Sequence, residues 1–219
     1  MSSASAKTKG DERIRFPGVP APKPLLSVET ERQLSPRQRE ILVELEGLLG
    51  SRRLSELTMS EIAAEVNCSL RTLYGIAPSK DELVLAIVDR RLRRIGRKAI
   101  ESLDASLSPL ETLRAYLRAA NKAVQPTAVT LSEDLAGVAG AKRLLDAHAD
   151  YVMAATRSLL DRAVAEGEIE PLDTASLAHV LGRLGGEFAR PEVAELAQES
   201  PKATADRIAD VILRGLAKR

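Results

Sequence analysis

Residues 58–80 read TMSEIAAEVNCSLRTLYGIAPSK, and their spacing predicts a helix, a tight turn and a second helix. Thr58 followed by Glu61 makes a capping box, so the first helix runs from about Met59 to Val66 and buries Ile62 and Val66, while small Ala63 admits a crossing helix. Asn67 comes next. A sharp turn between crossing helices needs one residue at positive φ, and after Gly the short amide of Asn tolerates that geometry best. Ser69 then caps the second helix. Counted from that cap, Leu70, Arg71, Thr72 and Tyr74 fall near its exposed N-terminal end, whereas Leu73 points back at the first helix. That is the layout of a major-groove reader.

Outward from this stretch, Ser35-Pro36-Arg37-Gln38 is a strong helix start: Ser caps, Pro takes the first helical position, and Gln closes the box. Ile41, Leu42, Leu45, Leu48 and Leu49 form the buried stripe of that helix, Gly50 supplies the stop, and Leu54 and Leu57 cover the bottom of the core. On the other side, Ser79-Lys80-Asp81-Glu82 is another capping box and starts a helix read as unbroken to about Ser106, roughly 40 Å long. Such a helix bridges two domains.

These ordered elements resemble the DNA-binding domain of the TetR (tetracycline-repressor-like) family of regulators. The resemblance rests on Ile41-Leu42, Leu48-Leu49, Thr58, Ile62-Ala63, Ser69, Thr72-Leu73-Tyr74 and Ser79-Lys80-Asp81-Glu82-Leu83. Three departures stand out. Asn67 takes the place of the family's usual Gly, Ile76-Ala77 replace its common His-Phe, and Leu45 sits where a small residue is usual. We read Leu45 and Ala77 as a volume exchange inside one three-helix core, because overpacking and cavities are each costly.

The remaining chain is all helical by pattern. Ser108-Pro109 starts a helix to about Val124 with Leu113, Leu117, Ala120 and Val124 as its stripe, and Pro126 ends it. Thr130 and Glu133 box a short helix, residues 141–166 form a long amphipathic one ending at Gly167, Asp173 caps residues 174–189, and Pro191 breaks the chain. Ser200-Pro201 starts the last helix, to about Lys218. The fold class is therefore all-α. An N-terminal three-helix helix-turn-helix DNA-binding domain over 35–80 precedes a C-terminal helical ligand-binding and dimerisation domain over 81–219, whose first helix joins the two. Residues 1–34, rich in Lys, Ser and Pro, read as a disordered basic tail, either solvated or reaching along a groove through Lys7, Lys9, Arg13 and Arg15.

Charge fits this division. The chain carries 32 basic and 31 acidic side chains, distributed as 5 and 3 over residues 1–30, 13 and 10 over 31–98, and 14 and 18 over 99–219. A basic front and an acidic back place one end on phosphate and keep the other off it. Within Arg90 to Lys98 lie six basic residues, read as a solvated face or as charge paired with acidic neighbours rather than a second phosphate site. No apolar run approaches the ~18 residues of a membrane span, and MSSASAKTKGDERIRF lacks a secretory apolar block, so a cytoplasmic protein is expected. The single cysteine, Cys68, reads as apolar filler at the turn.

For recognition, Arg71 is assigned to base edges, Leu70 and Thr72 to thymine methyls, and Thr58, Ser69, Tyr74 and Lys80 to phosphates. The resemblance further implies a homodimer built from the last two long helices, through Leu177, Leu181, Gly182, Leu184, Gly185 and Phe188 of one and Ile208, Ile212 and Leu216 of the other. Three interior glycines at 182, 185 and 186 point the same way, because each weakens a helix unless something packs close over it. It also implies a small-molecule effector among the C-terminal helices, for which Tyr116, Asn121, Gln125, His148, Tyr151, Met153 and Arg183 are the candidate lining. Each of these also reads as an ordinary half-buried helix residue. His148 and His179 lack metal-ligand spacing, and no catalytic constellation, cofactor motif or phosphate loop is present. The expected partners are a double-stranded DNA operator and a second copy of the chain. The function that follows is a transcriptional regulator, a repressor released from a near-palindromic site by its ligand. The alternative is a helical protein-interaction module whose head has lost DNA affinity.

Overall fold

The computed structural model describes residues 16, 18–49, 54–124, 135, 137–188, 190–195 and 198–218. Its elements are α1 (Val28–Gln33), α2 (Pro36–Leu48), α3 (Met59–Glu65), α4 (Leu70–Tyr74), α5 (Lys80–Glu101), α6 (Pro109–Val124), α7 (Ala141–Ala165), α8 (Thr174–Phe188), α9 (Pro191–Ala194) and α10 (Pro201–Leu216). Ile169 and Ala217 form an antiparallel bridge, beside which the Lys218 amide donates to the Glu168 carbonyl at 3.0 Å.

The caps form as the sequence dictates. Ser35, Thr58, Ser69, Ser79 and Ser200 each accept a backbone N–H of the following turn. At Ser35, Thr58 and Ser108 the box is reciprocal, with Gln38, Glu61 and Glu111 reaching back to the cap amides. Helix α5 is shorter than expected, ending at Glu101 rather than near Ser106, so it spans about 33 Å. The Ser102 hydroxyl donates to the Ala99 carbonyl, and Asp104 Oδ1 accepts from Ser106, so the end of α5 is tied off by local side-chain bonds that compete with helix. The boxed helix over 130–133, Gly50, Pro126 and Gln125 lie outside the described residues.

Two apolar cores result. The first gathers Ile41, Leu42 and Leu45 of α2, Met59, Ile62 and Ala63 of α3, Leu73 of α4 and Leu83 to Val88 of α5. It does not stop at residue 80: Leu135, Val138, Ala141 and Leu144 close it from the start of α7. The second core packs Leu113, Tyr116 and Leu117 of α6 with Ala155, Leu159, Leu160 and Ala163 of α7, Ala178 and Leu181 of α8 and Ala209 and Leu213 of α10.

The expected disordered tail is corrected over its described part. Ser27 caps a short helix, and Leu26 and Leu34 are buried in the first core. Farther back, Phe16 is buried in the second core with Val19 beside it. The proline-rich composition that argued against helix is also compatible with an extended strap laid across the molecule, and that is what it forms. Residues 1–15 lie outside the described residues.

Candidate nucleic-acid interface and helical body

The helix-turn-helix is built from its own hydrogen bonds. Thr58 Oγ1 accepts the Glu61 amide at 3.2 Å, and Glu61 Oε2 accepts the Thr58 amide at 2.7 Å, which holds the Glu61 carboxyl below the usual carboxylate range. At the far end of α3, Asn67 sits at φ +47°, the only non-glycine residue at positive φ among those described. The Cys68 amide reaches the Ala63 carbonyl at 2.9 Å and the Asn67 amide reaches Ala64 at 3.2 Å, a Schellman closure with Asn in the left-handed position. Arg37 braces this corner from α2. Its guanidinium donates to the Val66 carbonyl at 3.0 Å while pairing with Glu40 and Glu44. Cys68 is half-buried, and burial pushes its thiol up, as suits filler rather than a reactive thiolate.

Helix α4 then presents one edge. Ser69 Oγ accepts the Thr72 amide at 3.1 Å and lies 2.8 Å from the Thr72 hydroxyl. Leu73 is fully buried, whereas Leu70 is 40% and Tyr74 53% exposed, with Ser69 and Arg71 also exposed. The Arg71 guanidinium makes no hydrogen bond or ion pair among the described residues. Thr58 is exposed one helix earlier. Leu45, Ile76 and Ala77, the departures noted in the sequence, are all buried in the same core.

Lys80 is the exception among the assigned residues. It is half-buried, and its Nζ donates to the Ser55 carbonyl at 2.6 Å, so part of its capacity secures the segment before α3. Two ammonium N–H groups remain. The basic run behaves as paired charge. Arg90 binds Glu31 and Glu46, Arg94 binds Glu46 at 3.1 Å, Arg91 donates to the Glu46 and Leu49 carbonyls, and Arg93 donates to Pro22. Glu46 itself is buried.

The ligand candidates do not converge on one place. Tyr116 and Tyr151 do come together: burial first, and then the neighbouring Tyr151, push the Tyr116 phenol well up, and burial raises Tyr151 as well. Asn121 Nδ2 donates to Asp206 at 2.8 Å. His148, by contrast, faces Asp89 of α5 at 2.9 Å, and Arg183 is exposed. An open surface depression of about 650 Å³, lined by Gly140, Lys142, Arg143, Asp146, Ala147 and Asp150, includes none of these candidates. Among the described residues no group of His, Cys, Asp and Glu is placed to hold a metal ion, and no helix is long and apolar enough to cross a membrane.

Part of the expected dimer surface faces inward. A methyl group on Gly182 would meet Met153 Cγ at 3.0 Å and Cα at 3.2 Å, and one on Gly185 would fall under 3.0 Å from Asn121 Oδ1. Leu181 is buried in the second core. These glycines let α8 lie close on α6 and α7 of its own chain, so Leu181, Gly182 and Gly185 are corrected from interface to interior. Leu177, Leu184, Ile212 and Leu216 are half-buried against that core, and Phe188 and Ile208 are half-buried too. The outward face carries Val180, 49% exposed, and Val211, 61% exposed, with open space around Gly186 and Gly215. The sequence reading counted Val180 among the apolar residues of its helix but not in the interface, and it did not single out Val211.

No protein-family model matches the sequence, and no protein of curated function does. Solved structures do match. AibR, in complex with isovaleryl coenzyme A and operator DNA, is 20% identical with a TM-score of 0.56, covering 80% of this chain and 97% of its own. A putative transcriptional regulator from Saccharomonospora viridis, in complex with choline, is 15% identical with a TM-score of 0.67, covering 83% and 98%. The TetR family transcriptional regulator PfmR from Thermus thermophilus is 23% identical with a TM-score of 0.53, covering 81% and 99%. With a capped helix-turn-helix at one end and an all-helical body at the other, the chain has the fold of the TetR-family transcriptional regulators.

Proposed function

We propose that the protein is a DNA-binding transcriptional regulator, a repressor that sits as a homodimer on a near-palindromic site and leaves it when a small molecule binds the helical body. The observation that carries this reading is the free edge of α4: Leu73 anchors the helix while Ser69, Leu70, Arg71 and Tyr74 stand exposed. An unpaired guanidinium on such an edge suits bidentate contact with guanine, and Leu70 and Thr72 suit thymine methyls. Thr58, Ser69, Tyr74 and the two remaining N–H groups of Lys80 suit phosphates. One recognition helix covers only a few base pairs, so useful specificity calls for two copies related by a two-fold axis. The outward face of α8 and α10, with Val180 and Val211 at its centre and Leu177, Leu184, Phe188, Ile208, Ile212 and Leu216 along its margin, is the surface proposed to join them. That AibR was solved with a ligand and operator DNA together, and the Saccharomonospora viridis protein with choline, supports an effector-responsive reading.

The departures at Ile76 and Ala77 are the features that keep the interaction module open as the alternative; both residues lie in the core rather than on the presenting edge. Fluorescence anisotropy with the DNA upstream of the protein's own reading frame, combined with sedimentation, tests the proposal. A dimer is expected, the logarithm of whose affinity falls linearly with the logarithm of salt concentration. A monomer without affinity for duplex DNA at low salt overturns it.

A further inference from the structure

The strap before α2 touches both cores. At one end the Phe16 ring lies edge-on to Tyr116, with centroids 5.3 Å apart and planes at 63°, and Val19 packs beside it in the C-terminal core. In the middle, the Pro22 carbonyl accepts from Arg93 at 2.5 Å, and the Leu25 amide donates to buried Asp89 at 3.0 Å. At the other end, Glu31 pairs with Arg90, and Leu26 and Leu34 enter the core that carries α3 and α4. Pro20, Pro22 and Pro24 stiffen the stretch between, so a displacement at Phe16 is not absorbed by a slack chain.

We propose that Phe16 is a built-in ligand of the C-terminal core, that its seat against Tyr116 accepts an apolar ring-sized group in exchange, and that the strap carries this exchange to the DNA-binding core. The inference rests on the reading of the protein as an effector-responsive regulator and deepens it by naming the effector's chemistry and its route. An incoming ring that takes the edge of Tyr116 frees Phe16. The strap then loses its fixed end, and the anchors at Leu26 and Leu34 loosen beneath α2. Phe16 is one of only two phenylalanines in the chain, and three of its five aromatic residues, Phe16, Tyr116 and Tyr151, belong to this core.

Hydrogen exchange on the full-length protein, read by mass spectrometry, tests this with toluene as the probe. Phe16→Ala is expected to speed exchange over residues 26–48 by about tenfold or more. Leu159→Ala, which opens a cavity in the same C-terminal core and leaves Phe16 and Tyr116 intact, is expected to leave those residues protected. Toluene is expected to raise the melting temperature of Phe16→Ala, and at high concentration to give the wild-type chain the exchange pattern of that variant. Should Phe16→Ala fail to fold, Phe16→Leu, which keeps the apolar fill and removes the ring, is read in the same way. Faster exchange confined to α6 and α7, an equal effect of Leu159→Ala on residues 26–48, or no response of Phe16→Ala to toluene would each overturn the proposal. A chain that shows the expected exchange pattern yet binds no duplex leaves the strap standing and sinks the regulator reading instead.

Discussion

Asp89 Oδ1 lies 2.9 Å from His148 Nε2, and the other oxygen of the same carboxylate accepts the Leu25 amide at 3.0 Å. One buried side chain of α5, 1% exposed, thus joins the strap, the bridging helix and α7. Asp89→Ala leaves the Leu25 amide and a largely buried imidazole without their acceptor, and we expect it to cost about 1 to 3 kcal/mol in urea unfolding. Asp89→Asn, which retains one acceptor oxygen, is expected to cost less. Equal stability of wild type and Asp89→Ala would show that the junction contributes nothing.

On DNA, Arg71 and Lys80 should separate by kind of loss. Arg71→Ala is expected to relax sequence preference, with about 1 to 3 kcal/mol of discrimination lost at one base pair of each half-site. Lys80→Ala is expected to weaken binding to every duplex alike and to flatten the salt slope by about one unit per bound subunit. It also releases the Ser55 carbonyl, so a small fall in melting temperature accompanies it. Anisotropy titrations across single-base operator variants at two salt concentrations distinguish the two patterns. Uniform loss for Arg71→Ala would remove it from base contact.

The head of the molecule was legible because its information is local. Caps at Ser35, Thr58 and Ser69 and the left-handed Asn67 depend only on residues a few positions away, and each formed as read; at Ser79 the cap formed, but only its own half of the expected box with Glu82. What failed depended on tertiary partners. Gly182 and Gly185 correctly signalled close approach, but composition could not say whether the approaching helix belonged to this chain or to a second one. The strap was misread because Leu26, Leu34 and Phe16 are scattered apolar residues with no period of their own, and they gain structure only from cores formed elsewhere in the sequence. His148 was grouped with Tyr151 by proximity in sequence, yet at three residues' separation it faces α5 instead.

The two inward glycines of α8 should tolerate a methyl group to different degrees. At Gly185 the new group meets an amide held in place by Asp206, and we expect Gly185→Ala to cost about 2 to 4 kcal/mol despite the gain of about 1 kcal/mol in helix propensity. At Gly182 the nearest atom is the flexible Met153 Cγ, although the Met153 Cα behind it cannot yield, so about 1 to 2 kcal/mol is expected. Chemical denaturation of both variants checks the order. A larger loss at Gly182 would contradict the packing described for Asn121.

Alkaline conditions should expose the burial of Tyr116. Its phenol is raised above the ordinary value, chiefly by burial and then by Tyr151, so the folded state favours the neutral form. The corresponding stability is fully present below the ordinary phenol range of about 10 and is lost as pH climbs beyond it, because the unfolded chain ionises first. Phenolate absorbance from Tyr116 is therefore expected to appear together with unfolding rather than before it. Tyr116→Phe should unfold less steeply with rising pH. Ionisation of Tyr116 near its ordinary value with the helical signal intact would contradict its placement in the core.

The outward face of α8 and α10 gives the proposed dimer its test. Val180 and Val211 are large, apolar and more exposed than anything else on the two helices of that type, and neither supports the core of its own chain. A charge there costs the isolated protomer almost nothing, since surface changes of this kind usually stay within about 0.5 kcal/mol. Between two copies the same charge is buried against its symmetry mate, and like charges facing each other across a two-fold axis repel. Val211→Glu, alone or with Val180→Glu, is therefore expected to shift sedimentation from dimer to monomer with an unchanged helical signal. It should weaken operator binding by at least about a hundredfold, because a single head retains only one half-site of contacts. A charged variant that remains dimeric, with full affinity for its operator, would move the subunit contact to another face of the body and leave the two valines without a role.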